Sequence, residues 1–212
     1  MYNNHLRRAC DLSAIQLGYT ARARFQEAPA DGMPILQLSD LNGVVLPPPE
    51  RLLRVHLGGR LDRYKAAKGD VLFRSRGTQN IAVAVDARFV EPVVAVLPLM
   101  ILRPDRSIIL PEYLAWAINQ PAAQRQLGAG AQGTNLRMVQ KAALERVEID
   151  VPDLAAQQRI VAVANLATQE EILLHALATT RRRLANLRLA QFAAGKPSPI
   201  PPLPPKTKER RA

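Results

Sequence analysis

The sequence predicts an α+β fold: a globular domain of mixed strands and short helices, followed by one long helix of the coiled-coil type. Three observations carry this reading. Residues 1 to about 110 hold short β-prone segments separated by turn-rich stretches. A helical zone opens at Pro111. From Asp153 to about Phe192 the chain has neither Gly nor Pro. The predicted division is therefore a globular domain over 1–152, a long helix over 153–193 and a Pro-rich basic tail over 194–212.

Taken in order, Ala14 to Phe25 is β-prone and interrupted by Gly18. Pro34 to Leu38 is short and apolar, and Val71 to Arg74, Ile81 to Asp86 and Val93 to Arg103 continue the pattern. Ile81, Val83 and Val85 alternate with Ala82 and Ala84, the period of a half-buried strand. Turns are expected at Pro47-Pro48-Pro49, Gly58-Gly59 and Arg76-Gly77-Thr78.

Pro111 suits a first helical position and Glu112 suits the positive helix start, with Tyr113, Leu114, Trp116, Ala117 and Ile118 as its apolar face. A Gly-rich loop over Gly128 to Gly133, a short helix over Leu136 to Leu144 and a strand through Val147, Ile149 and Val151 follow.

Asp153 is placed to cap the long helix. Within it Leu166, Leu173, Leu177, Leu184 and Leu187 are spaced 7, 4, 7 and 3, an a/d seam that Glu170, Thr180 and Gln191 interrupt. A helix of about 40 residues is some 60 Å long at 1.5 Å per residue, longer than a small domain is wide. Much of the seam therefore needs a partner helix, and a homodimer is the simplest source. Residues 195–212 hold six prolines and a net charge of +4, a composition expected to be disordered or polyproline-like.

The formal net charge of the whole chain is +11, so +7 falls on the folded part. Such an excess suits a polyanion, because each neutralised phosphate releases counterions. The single cysteine, Cys10, forms neither an intrachain disulfide nor a cysteine zinc site. The longest apolar run, Val93 to Leu102, contains Pro98 and is too short to span a membrane, and the N-terminus lacks an apolar signal core. A cytoplasmic protein with no membrane partner is expected.

The motifs of catalysis do not fit. Gly128-Ala129-Gly130-Ala131-Gln132-Gly133 has dinucleotide-fingerprint spacing, but a helical segment precedes it where a strand is needed. Thr134 stands where a P-loop needs Lys. No acid has Lys two positions later, as a common type of metal-dependent nuclease needs, and Pro47-Pro48-Pro49 lacks the neighbours of an amino-methyltransferase motif. His5, His56 and His175 are too far apart for zinc-ligand spacing. No catalytic or metal residue is assigned.

What remains is basic and amide-rich. Arg51 to Arg76 holds eight Lys/Arg against two acids, with Glu50 a third just before it. Arg74-Ser75-Arg76-Gly77-Thr78-Gln79-Asn80 combines the side chains that pair with guanine and adenine edges in the major groove. Gln132, Asn135, Arg137 and Lys141 form a second such group. With Arg22 and Arg24 these give the candidate DNA contacts: Arg22, Arg24, Arg74, Arg76, Gln79, Asn80, Gln132, Asn135, Arg137 and Lys141. Either group taken alone is also what an ordinary solvated loop looks like.

In order and spacing, several stretches resemble the DNA specificity (S) subunit of type I restriction–modification systems. They are Leu17-Gly18-Tyr19-Thr20-Ala21-Arg22, Ile35 to Leu41, Lys68-Gly69-Asp70-Val71-Leu72-Phe73-Arg74-Ser75-Arg76-Gly77, Leu110 to Leu114, Gly133-Thr134-Asn135, and Ile149 to Val161. The resemblance covers roughly residues 10 to 190. It implies a target recognition domain over 1–152 and a spacer helix over 153–193. It also implies a methyltransferase partner that binds S-adenosylmethionine, and a restriction subunit using ATP and Mg. This chain would carry no cofactor and no catalysis, and would position methyltransferase subunits on a bipartite DNA target. The family's subunit holds two recognition domains and two helices, whereas this chain has one of each and so looks like a half-subunit. The alternative reading is a free-standing homodimeric DNA-binding regulator with no methyltransferase partner.

Overall fold

In a computed structural model the structure describes residues 6–21, 24–28, 30–77, 80–129 and 138–195. The chain forms two compact units, Met1–Ala164 and Asn165–Ala212.

The first unit is layered around two sheets. Strands β1 (Leu6–Arg8), β2 (Ser13–Leu17), β3 (Met33–Leu36), β4 (Arg54–Val55), β5 (Lys65–Ala66), β6 (Val71–Arg74), β7 (Ile81–Ala84), β8 (Val93–Ala95), β9 (Leu99–Pro104) and β10 (Glu148–Asp150) follow in chain order. Helices are α1 (Ala9–Leu12), α2 (Pro111–Asn119), α3 (Pro121–Ala129), α4 (Lys141–Glu145) and α5 (Leu154–Ala193). The central sheet runs β2-β9-β6-β7, antiparallel throughout, and a second sheet runs β4-β3-β8-β5 with β3 and β8 parallel. A short ribbon pairs β1 with β10.

Period-2 alternation explains the layering. Val71, Phe73, Ala82, Met100 and Leu102 face a core shared with Tyr113, Leu114 and Ile118 of α2. Their neighbours Leu72, Val83, Leu99 and Ile101 face Leu36, Val93 and Ala95 of the second sheet. The other side of that sheet, through Ile35, Val55, Val94 and Val96, supports Tyr19, Phe25 and Tyr64. The stretch from Ile81 to Val85, expected as a half-buried strand, is therefore covered on both faces.

Two segments fold differently from their sequence pattern. The apolar run Val93–Arg103 is two strands in two sheets, joined by a turn closed by Leu99 N–H donating to Val96 O at 2.9 Å. Pro98 lies in that turn, and without an N–H it is a poor sheet-interior residue. The β-prone stretch from Ala14 ends as a strand at Leu17, because Gly18 must pass close to this turn: a Cβ there would sit 2.7 Å from Leu99 O and 2.8 Å from Ala95 O. The expected helix over Leu136–Leu144 is confined to α4; Met138 pairs as a bridge with Arg76 instead.

Side-chain amides finish the edges. Asn119 mimics a strand, donating to Ala82 O and accepting from Ala82 N–H, both at 2.8 Å. Gln126 does the same for Glu148. Gln157, on the first turn of α5, is fully buried. Its Oε1 accepts from Leu110 N–H at 2.8 Å, and its Nε2 donates to Ile108 O at 3.0 Å and Pro152 O at 2.8 Å. Asp153 Oδ1 accepts from Ala156 N–H at 2.7 Å, the expected cap. Ile160 and Val161 pack on the first unit's core, so that unit takes in the start of the helix.

In the second unit α5 continues to Ala193, and the seam leucines Leu166, Leu173, Leu177, Leu184 and Leu187 are between 47% and 70% exposed. By length and composition alone α5 also contains a stretch apolar enough to cross a membrane. The tail over 196–212 lies outside the described residues.

Candidate nucleic-acid interface

The loop after β6 is built on buried anchors. Ser75 is fully buried; its Oγ and N–H both donate to Pro98 O, at 2.6 and 3.2 Å, and its own carbonyl accepts from Val139 N–H at 2.8 Å. Arg76 and Met138 form an antiparallel bridge. The loop after β6 and the segment at Met138–Val139, far apart in sequence, therefore meet at one backbone junction. Arg76 is exposed at that junction.

Arg74 serves a different purpose. Its half-buried guanidinium donates from Nη1 to Leu41 O at 2.8 Å and to Asn42 Oδ1 at 3.4 Å, and from Nε to Arg76 O at 3.1 Å. It ties the loop to the segment after β3, which leaves it less free to reach a base than Arg76. Asn80 Nδ2 donates to Arg74 O at 3.1 Å and closes the loop. Lys141 opens α4 and pairs with Glu145 at 3.4 Å. Arg24 is exposed beside Phe25 and His56 in a cleft of about 510 Å³. Arg22, Gln79, Gln132, Asn135 and Arg137 lie outside the described residues.

Beyond these, a basic and aromatic cleft of about 1020 Å³ lies along Tyr19, Thr20, Gly58, Gly59, Arg60, Asp62, Arg63 and Tyr64. None of its residues is among the sequence candidates. The signal available was the excess of Lys/Arg between Arg51 and Arg76 beside a Gly-Gly turn.

Some other charges in the unit are used structurally. Arg88 holds the Asp86 carboxyl below the usual carboxylate range through a 2.6 Å pair, and also donates to Leu46 O. Burial pushes the Asp70 carboxyl up, although Ala67 N–H, Arg103 and Arg106 act against the shift. Among the described residues no three His, Cys, Asp or Glu gather where a metal ion would sit.

This layered α+β domain followed by one long helix resembles part of solved chains from type I restriction–modification systems. The S subunit from M. genitalium superposes with a TM-score of 0.58 and 15% identity, over 90% of this chain and 46% of that one. The HsdS subunit from Thermoanaerobacter tengcongensis gives 0.52 and 20%, over 90% and 41%. A chain solved in work on complex assembly and conformational transition of the type I R-M system gives 0.61 and 22%, over 90% and 45%. The chain thus spans less than half the length of each. No protein-family model and no curated protein matches the sequence.

Proposed function

We propose that this chain is a sequence-specific DNA recognition subunit of a type I restriction–modification system, in the form of one target recognition domain and one spacer helix. The observation that carries the reading is the coverage: 90% of the chain aligns with 41–46% of three chains from type I restriction–modification systems, as one recognition domain and helix of the family's two would. The net charge of +11 and the exposed Arg76, held at a backbone bridge to Met138, support DNA as the ligand.

In this reading the chain is not an enzyme. It positions methyltransferase subunits, which bind S-adenosylmethionine, on a bipartite target, and a restriction subunit, where one is present, brings ATP and Mg chemistry. The exposed seam of α5 pairs with that of a second copy, so the missing half is supplied by symmetry. Seam positions recurring every 3.5 residues on average, five of the seven from Leu166 to Leu187 being leucine, favour a partner helix over a lipid surface for this face. A cytoplasmic location follows from the same reading.

Purification of the tagged chain from its native host tests the proposal. A methyltransferase subunit at defined stoichiometry is the expected result. A homodimer that binds DNA with no methyltransferase would instead establish the regulator.

A further inference from the structure

We infer that the cleft between Tyr19 and the Gly58–Tyr64 loop holds the DNA phosphodiester backbone beside the bases read at Arg76, with Arg60 and Arg63 on its phosphates. The inference rests on the DNA-recognition reading and assigns it a second, sequence-independent contact.

The loop is built to present cations. Gly59 takes a φ of +89°, and neither it nor Gly58 has a neighbour within 4 Å of an added Cβ, so Arg60 leaves an open turn. Arg60 and Arg63 are exposed. Asp62, the acid in the cleft, is paired with Lys65 at 2.9 Å, which leaves the lips positive. Arg103 holds the loop backbone from below, its Nη2 donating to Arg63 O and Lys65 O, each at 3.0 Å.

The floor is rigid and aromatic. Tyr19 and Tyr64 meet edge-to-face with centroids 5.5 Å apart, and the Arg63 guanidinium lies 4.6 Å from the Tyr64 centroid. Both rings rest on the Ile35, Val55, Val94 and Val96 cluster. Arg63 is thereby pre-oriented, which lowers the ordering cost of a phosphate contact. In a chain with only 4% aromatic residues, two in one basic cleft are a concentrated resource.

Position selects the ligand. Tyr19 bridges Val96, its N–H donates to Ala95 O at 2.8 Å and its O accepts from Leu97 N–H at 2.9 Å. Two residues beyond Val96, Pro98 O receives both bonds from Ser75, next to Arg76. Tyr19 of the cleft and the Arg76 loop hang from one turn. Arg76 and the cleft therefore lie on neighbouring parts of one surface, with base edges assigned to Arg76 and a phosphate strand to the cleft.

The test measures affinity against salt for duplex DNA, with the full chain and Arg60→Ala/Arg63→Ala. Each lost phosphate contact removes about 0.9 from the slope of log K against log salt. At 0.15 M salt this is about fivefold per arginine, or about 30-fold for the pair. The loss should be equal on every sequence. Arg60→Lys/Arg63→Lys should restore the slope, since lysine also neutralises a phosphate, which a merely structural role would not predict. Arg76→Ala is the contrast: it should alter preference at one base position by about 10- to 100-fold while the slope changes little beyond one contact. If the wild type binds DNA and the double Ala variant keeps its slope, the cleft inference is overturned while DNA recognition stands. If the wild type does not bind DNA, the DNA-recognition reading itself fails.

Discussion

Replacing Leu173 and Leu177 with glutamate should convert a dimer of this chain into a monomer while the globular unit stays folded. Both leucines lie in the middle of the seam and are exposed in the single chain. Burying a leucine contributes about 1.5–3 kcal/mol. Two-fold symmetry repeats each substitution, so four buried leucines are lost and four carboxylates are brought into an apolar seam. The combined cost is on the order of 10 kcal/mol, about seven decades in the dimer dissociation constant. Light scattering at micromolar concentration should show the mass halve. Circular dichroism should retain the strand signal of the first unit, because both positions lie in the second. A wild-type chain that scatters as a monomer would remove the pairing account.

Gln157→Leu should destabilise the first unit by about 3 kcal/mol. The glutamine satisfies Leu110 N–H, Ile108 O and Pro152 O together at the start of α5. Leucine is similar in size but removes the partner of all three part-buried backbone groups, each costing up to about 1–3 kcal/mol. Neighbouring Gln158 is exposed, so Gln158→Leu should fall within about 0.5 kcal/mol of the wild type. Urea unfolding of the two variants makes the comparison. Equal stabilities would show that Gln157 does not latch the helix to the domain.

Much of this architecture was legible in the residues. Pro111 with Glu112, the strand through Ile149, the Asp153 cap and the unbroken helix to Ala193 follow from local chemistry acting over a few positions. What depends on distant contacts was not legible. Val93–Arg103 carries one apolar pattern but feeds two sheets, because both are covered and neither imposes a polar face. The pairing of β1 with β10 joins residues some 140 positions apart, which no local period encodes.

The site divides in the same way. Composition drew attention to Arg74 and Arg76 together, since both are arginines flanking one serine. Only the fold separates them: Arg74 is turned inward onto Leu41 O, and Arg76 is exposed beside Met138. Arg60 and Arg63 gain their meaning from Tyr19, more than 40 residues earlier, and so escaped a search by neighbouring residues.

The central claim is that two copies of this chain read DNA sequence symmetrically. Selection of bound duplexes from a random library by the wild-type chain, followed by sequencing, tests it most directly. Two-fold symmetry places the same bases on opposite strands, and helices of 40 residues, about 60 Å long, hold the two domains apart. The account predicts an interrupted palindrome whose half-site centres lie about one helical turn, roughly 34–36 Å, or more apart. A pool with no enriched sequence, or one converging on a single asymmetric site, would contradict it.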